Sequence, residues 1–219
     1  MFKANEPFSF YSRLHLIELT GLQVSTIPTL LEKLRTVPGS CIYHHTHHFV
    51  QRHQYLSPEP PNDFAYWVSE VLGDAELGEE LASIDIMAYP TIRAIREALI
   101  NKIEGAIKSR SRLRNLSAPE GSEFFFLKSM SFIFPTPYVA SDLKSFMDCL
   151  KKISISSVYF HMFEARLRLE RATNDFSNWL ASSLGEKDLA LKIARLDPYT
   201  QTGESLRETI LGLIGKRIL

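Results

Sequence analysis

The sequence predicts a mainly α protein made of two tandem homologous helical repeats about a pseudo-two-fold axis, with room for short β-strands at the start of each repeat. The main observation is an internal echo: NDFAYWVSEVLGD at 62–74 reappears as NDFSNWLASSLGE at 174–186. When 62–85 is aligned with 174–197, nine of 24 positions are identical. Average residue usage would give about one or two identical positions by chance in a window of this length. Helix caps explain the repeated Asn-Asp and Gly, but not the repeated Phe and Trp.

A second observation extends the echo towards the N-terminus. At an offset of 116 residues, Phe8 aligns with Phe124 and Tyr43 aligns with Tyr159. The change of offset falls inside the proline-rich stretch YLSPEPPND, where an insertion is tolerated because loops accept length changes. These matches predict a duplication with three segments: helical repeat one at 1–107, a basic and then Pro/Gly/Ser-rich linker at 108–123, and helical repeat two at 124–219.

The elements of each repeat follow from local patterns. FSFYSRLHLIEL and EFFFLKSMSFIF are rich in aromatic and β-branched residues, which predicts a short strand in each repeat. STIPTLLEKLR and SDLKSFMDCLKK place apolar residues on one helical face. Ser40 and Ser156 are predicted to cap the next helix, and Asn-Asp at 62–63 and 174–175 the one after. That last helix should end at Gly73 and Gly185.

Composition excludes several protein classes. Lys plus Arg equals Asp plus Glu at 25 each, which removes the broad positive field of a non-specific nucleic-acid binder. No apolar run approaches the roughly 20 residues of a membrane-spanning helix, and the N-terminus lacks a secretory signal pattern. Cys41 and Cys149 form no CxxC motif, so neither a disulfide framework nor a thiolate zinc site is indicated. We expect a cytoplasmic protein.

The densest polar stretch is CIYHHTHHFVQRHQYL at 41–56. On a helix, His44 and His48 lie one turn apart, as do His45 and His48, a spacing that lets two imidazoles share a metal ion. In the second repeat, His45 is kept as His161 while position 48 becomes Glu164. The polar residues at equivalent positions of the two repeats form a candidate ligand face: His45, His48, Arg52, Asn62, Asp63, His161, Glu164, Arg168, Asn174 and Asp175.

Two interpretations of this face stay open. In the first, His, Arg and Asp form a buried hydrogen-bonded network that ties helices together. In the second, His45, His48 and Asp63 build a ligand or metal site, with an altered copy at His161, Glu164 and Asp175. No HExxH, GxSxG or Gly-rich phosphate loop is present, so no catalytic residue and no cofactor are predicted.

The basic stretch KSRSRLR at 108–114 offers a local alternative. Its four basic residues alternate, and in an extended segment they would project to one side and contact phosphate or an acidic partner. A solvated linker face is the simpler interpretation, so a nucleic-acid partner is disfavoured.

IYHHTHHF, SPEPPNDFAYW and NDFSNWL resemble a prokaryotic family of unknown function. Its members combine a helix carrying Tyr, paired His and an aromatic residue with an NDFxxW helix that ends in Leu-Gly. The resemblance covers nearly the whole chain, and Trp67 and Trp179 are its most specific marks. The resemblance implies no catalytic residue. It also implies that genes of family members are encoded near those of sugar-nucleotide glycosyltransferases.

Together these observations predict a non-catalytic binding or regulatory module that engages a protein partner. The resemblance suggests a setting in carbohydrate metabolism, which is an association rather than a physical inference. The alternative is a small-molecule or metal-binding protein, or an enzyme, that uses the histidine-rich helix of repeat one. A homo-oligomer is compatible with either, and no membrane partner is expected.

Overall fold

Two long strands open the two halves of the described chain. The computed structural model describes residues 3–48, 61–165, 167, 173–197 and 201–218. Strand β1 spans Phe8–Val24 and strand β2 spans Phe124–Ala140, and they pair as a two-stranded antiparallel sheet. Thr136 Oγ1 donates to the Phe10 carbonyl at 2.7 Å, and Thr20 Oγ1 donates to the Phe126 carbonyl at 2.5 Å. The same number of residues separates these contacts in both strands, so the register carries no net insertion.

Helices account for most of the remaining described residues. In the first half, α1 is Ile27–Thr36, α2 is Gly39–Tyr43, α3 is Asp63–Tyr66, α4 is Ala75–Ala82 and α5 is Ile92–Ser109. In the second half, α6 is Leu143–Leu150, α7 is Ile155–Tyr159, α8 is Asp175–Ser183, α9 is Lys187–Ala194 and α10 is Gly203–Ile218. Three π-helical segments span His44–His48, Trp67–Val71 and Phe160–Glu164, and a 3₁₀ turn spans Ser111–Arg114.

Helix caps follow the sequence at most of these starts. Asn62 and Asn174 cap α3 and α8 as predicted, since each side-chain oxygen accepts a backbone N–H at 2.8 Å. The predicted caps at Ser40 and Ser156 are wrong. Ser154, two residues earlier, caps α7 by accepting the Ser157 N–H at 3.2 Å, and α2 begins after a proline without a side-chain cap.

The predicted fold class is wrong in its main point. The described chain is 57% helical with 18% strand, and nothing in it supports two tandem repeats about a pseudo-two-fold axis. Its compact units are not successive segments: unit 1 contains Met1–Leu14 with Ser131–Leu219, and unit 2 contains His15–Met130. The strands are also 17 residues long rather than short. The alternation of apolar and polar residues predicts too short a strand. The reason is that residues after Leu14 in β1 are largely exposed, so buried and exposed side chains do not alternate there.

Each unit has its own aromatic core. In unit 1, Phe8 and Phe10 pack against Phe146 and Phe176, and the Trp179 indole N–H donates to the Glu6 carbonyl at 2.7 Å. In unit 2, Phe124 and Phe126 pack against Phe64, and the Trp67 indole N–H donates to the Ser122 carbonyl at 2.9 Å. The segments 1–107, 108–123 and 124–219 stay a prediction. Among the described residues, no helix combines the length and the apolar character that crossing a membrane requires.

Gly73 provides a test of this local structure. It follows the Trp67–Val71 segment with φ +70°, a backbone conformation that costs an L-residue about 1 kcal/mol. We expect Gly73→Ala to lower the free energy of unfolding by about that amount in urea titration. Gly105, exposed inside α5 with open space around it, is the matched control. Gly105→Ala should raise stability by up to about 1 kcal/mol, and equal effects of the two substitutions would contradict the assignment.

The two cysteines give a second test. Burial raises the pKa of the Cys41 thiol and of the Cys149 thiol above their ordinary values. A raised pKa leaves less thiolate at a given pH, and the thiolate is the reactive species. We expect both thiols of the folded protein to react more slowly with a disulfide reagent at pH 8 than they do in urea. The Cys41→Ser and Cys149→Ser variants each leave one thiol, so measuring them separately assigns a reaction rate to each cysteine. A thiol that reacts as fast in the folded protein as in urea would refute the expectation.

Candidate functional site

The best-defined polar arrangement in unit 2 is a histidine held between an aspartate and a strand. His45 lies in the π-helical segment His44–His48 and is 3% exposed. Its Nδ1 lies 2.6 Å from Asp63 Oδ2, and its Nε2 accepts the backbone N–H of Leu127 at 2.9 Å. Since Nε2 accepts a proton donor, it carries no proton, and Nδ1 must donate to the carboxylate. Both ring nitrogens of the neutral imidazole are therefore engaged.

Unit 1 contains the same arrangement. His161 Nδ1 lies 2.7 Å from Asp175 Oδ2, and its Nε2 accepts the backbone N–H of Tyr11 at 2.8 Å. The Ser157 hydroxyl donates to the Tyr11 carbonyl at 2.6 Å, so both backbone polar groups of Tyr11 in β1 bind side chains from the helical segments. The His161 ring stacks on Phe176, with ring centroids 5.3 Å apart. Each unit thus has one Asp–His pair bound to one strand amide.

This geometry limits what the two histidines can do chemically. A general base needs a free imidazole lone pair, and here the Nε2 lone pair accepts a backbone N–H. A metal ligand needs the same lone pair, so coordination by His45 would require the Leu127 N–H to lose its acceptor. Among the described residues, no group of three or more His, Cys, Asp or Glu side chains is placed to hold a metal ion. The geometry therefore favours the hydrogen-bonded network over the ligand site.

The other histidines of the segment contact a strand serine, a tyrosine and neighbouring histidines. All five residues His44–His48 are buried. His44 Nδ1 lies 2.8 Å from Ser129 Oγ and 3.2 Å from His48 Nδ1. The His47 ring stacks on Tyr43, with centroids 5.6 Å apart and 12° between the planes. His48 therefore contacts His44 and strand β2 rather than Asp63.

The other predicted site residues fall into three groups. Asn62 and Asn174 are helix caps, and Asn62 Nδ2 also donates to the Leu81 carbonyl at 3.1 Å. Glu164 forms a buried ion pair with Arg13 of β1, within unit 1. Arg52 and Arg168 lie outside the described residues. The candidate ligand face as a whole stays a prediction.

Sequence reasoning missed the strand groups that the histidines and Glu164 bind. The Leu127 and Tyr11 amides, Ser129 and Arg13 all lie in the strands, more than 80 residues from their partners. A backbone amide leaves no mark in a sequence pattern, so only the position of each strand could have indicated it.

The basic stretch at 108–114 does not form an extended phosphate-binding row. It comprises the end of α5 and the 3₁₀ turn, and Arg110 binds Glu76 at 2.7 Å and Glu80 at 2.9 Å. Arg112 lies 2.9 Å from Asp74. Burial alone would lower the pKa of Arg110, but the hydrogen bond to Glu76 and the nearby carboxylates raise it above its ordinary value. These arginines are neutralised by acidic residues of α4 and its N-cap.

Comparison with known proteins places the chain in a family. A model described as a family of unknown function (DUF5752) matches residues 5–215, so the chain belongs to the DUF5752 family. Among solved structures, the chain is similar to OrfY from Thermoproteus tenax, with 28% sequence identity and a TM-score of 0.82. That similarity covers 98% of this chain and 97% of OrfY. No curated protein matches.

Substitution of His45 tests the role of the strand contact. The His45→Gln substitution places an acceptor oxygen near the position of Nε2. The His45→Leu substitution provides no acceptor and leaves the Leu127 N–H unpaired. We expect His45→Leu to cost about 2 to 4 kcal/mol of unfolding free energy and His45→Gln clearly less. Amide hydrogen exchange at Leu127 should accelerate in the Leu variant. If the two variants are equally stable and the Leu127 amide stays protected in both, the Nε2 contact is not what stabilises the strand.

Proposed function

We propose that this member of the DUF5752 family is a non-catalytic binding or regulatory module that engages a protein partner through its strands. The observation that carries the proposal is the distribution of exposed apolar side chains. Within the described residues, all the large hydrophobic side chains classed as exposed, apart from Tyr66 and Leu191, lie in β1 or β2. Exposed hydrophobic residues that are scattered over a surface are ordinary. Their concentration on the two paired strands is typical of an interaction surface.

In unit 1 these side chains form a definable patch. Phe132 and Phe134 alternate along β2 and therefore point to the same face of the strand. Because Phe10 lies opposite Thr136, the antiparallel register places Leu14 opposite Phe132. Leu14, Phe132 and Phe134 are 54%, 50% and 46% exposed, and we call them the strand patch. Covering the exposed half of each side chain is worth about 1 kcal/mol.

The neighbouring sequence is consistent with side-chain packing rather than strand addition. β2 continues from Phe134 with Pro135-Thr136-Pro137. Proline has no N–H, so within a sheet it is confined to positions that face away from the paired strand. Two prolines two residues apart therefore leave this edge of β2 without donors for an added strand. A partner would bind through the exposed face of the strand.

The non-catalytic part of the proposal rests on the histidines. His45 and His161 each use both ring nitrogens in hydrogen bonds, so neither provides a free base. Asp63 and Asp175 are the hydrogen-bond acceptors of these rings and hold their tautomers.

The proposed setting comes from resemblance and composition. We propose a cytoplasmic protein, from its composition, and a prokaryotic setting in carbohydrate metabolism, from the family resemblance and the gene neighbourhood that it implies. Neither nucleic acid nor membrane is a proposed partner.

The strand patch can be tested with a matched control. Phe132→Ser with Phe134→Ser removes two anchors, whereas Leu191→Ser removes an exposed leucine of similar accessibility on α9. We expect a partner recovered by photo-crosslinking at position 134, then purified, to bind wild-type protein and Leu191→Ser equally. The double variant should bind roughly 30-fold more weakly, as about 2 kcal/mol of lost apolar burial predicts.

Two outcomes would overturn the proposal. One is a partner that binds the double variant as tightly as it binds wild-type protein. The other is light scattering that shows a wild-type oligomer, dispersed by the double variant, with no other protein crosslinked at position 134. In that case the patch joins copies of this chain. Circular dichroism of each variant verifies that loss of binding is not loss of folding.

A further inference from the structure

We propose that unit 2 contains a binding site for a small organic phosphate, in the cleft between α1, the start of α2 and α5. The cleft has a volume of about 730 Å³, within the usual range of about 300 to 1,000 Å³ for small-molecule sites. Its lining includes three arginines and two glutamates: Arg35, Arg93, Arg96, Glu97 and Glu104. It is separate from the strands and from the histidine-bearing segment.

The cleft follows one stripe of α5. Its lining residues on that helix run from Ile92 to Glu104, a distance of about 18 Å at 1.5 Å per residue. Ile92 and Ile100 contribute the apolar lining, and Gly39 contributes backbone only. An added Cβ at Gly39 would lie 3.4 Å from Ile92. The site is therefore much longer than a lone phosphate ion and has apolar surface for an attached organic group.

The charges divide the cleft into two ends. At one end Arg35 pairs with Glu104, so these two charges compensate each other. At the other end Arg93 and Arg96 lie one helical turn apart beside Glu97, and no ion pair between Glu97 and either arginine occurs among the described residues. The excess positive charge thus lies near the beginning of α5, where the helix dipole adds to it.

Arg96 is held in a fixed position. One terminal nitrogen of its guanidinium donates to the Val37 carbonyl at 2.5 Å, at the residue that ends α1. Arg93, one turn earlier, is exposed on the rim. A guanidinium presents its donors in a planar fork that matches phosphate oxygens, which lysine does not. One fixed and one adaptable arginine beside an apolar lining match a phosphate group joined to an organic group.

The test uses the full chain, with phenyl phosphate, inorganic phosphate, benzoate and phenol as probes at constant ionic strength. Calorimetry should show phenyl phosphate binding more tightly than inorganic phosphate, because the ring covers the isoleucines. Benzoate should bind more weakly and phenol not at all. In proton–nitrogen correlation spectra, the backbone amides of Ile92 and Arg93 should shift on addition of phenyl phosphate.

Three substitutions make the test specific. Arg93→Gln should weaken phenyl phosphate binding about tenfold or more, as expected for a lost charge-assisted hydrogen bond. Glu97→Gln should strengthen binding severalfold, because it removes a competing negative charge. Lys102→Gln removes an exposed positive charge of α5 outside the cleft and should change nothing. Arg96 is left intact because it also contacts α1.

Several results would overturn the assignment. Phenyl phosphate could produce neither heat nor amide shifts at millimolar concentration in a protein that circular dichroism shows to be folded. Benzoate could bind as well as phenyl phosphate, which would remove the phosphate preference. Arg93→Gln and Lys102→Gln could weaken binding equally, which would show that the net charge of the protein, and not Arg93 in the cleft, determines the affinity.

Discussion

The structure depends on one repeated contact, in which a neutral histidine accepts the backbone N–H of a strand residue. Burying a peptide N–H without an acceptor costs about 1 to 3 kcal/mol, so helices that cover a strand must provide one. His45 does this for Leu127 in unit 2, and His161 does it for Tyr11 in unit 1. The aspartate behind each ring selects the tautomer with Nε2 unprotonated. Two buried imidazoles are thereby structural groups, and the strands are positioned against the aromatic core.

This constraint also explains where function is to be sought. Phe10 and Phe126, each next to a histidine-bound amide, are buried, whereas Phe132 and Phe134 are exposed. The cleft beside α5 has no histidine in its lining, and it combines open volume with three arginines and two glutamates. The described part of the histidine-rich stretch, His44–His48, is buried, and the proposed binding surfaces consist of residues with ordinary local patterns.

Local structure was the part most accessible from sequence. The caps at Asn62 and Asn174 and the apolar stripes of α1 and α6 follow from side chains within a few residues of one another. The internal comparison placed His45 and Asp63 on the same candidate face, because both align with polar residues further along the chain, but it did not predict that they pair with each other. Such inferences succeed because the interacting groups are close in sequence or have matching partners elsewhere.

Longer-range features could not be obtained in this way. Tandem helical repeats were the wrong model because unit 1 combines Met1–Leu14 with Ser131–Leu219, whereas unit 2 is the continuous segment His15–Met130, and no sequence periodicity reports that division. The length of β2 was underestimated because Phe132, Ile133 and Phe134 are all exposed, so burial does not alternate there. The α5 cleft left no motif, since its arginines come from two helices.

Magnetic resonance of a nitrogen-15 labelled sample measures the central contact most directly. A neutral histidine that accepts a backbone N–H gives a scalar coupling between the amide nitrogen and Nε2. The account predicts such couplings from Leu127 to His45 and from Tyr11 to His161, with the proton of each ring on Nδ1. Rings protonated at Nε2, or strand amides without a coupled histidine, would contradict it.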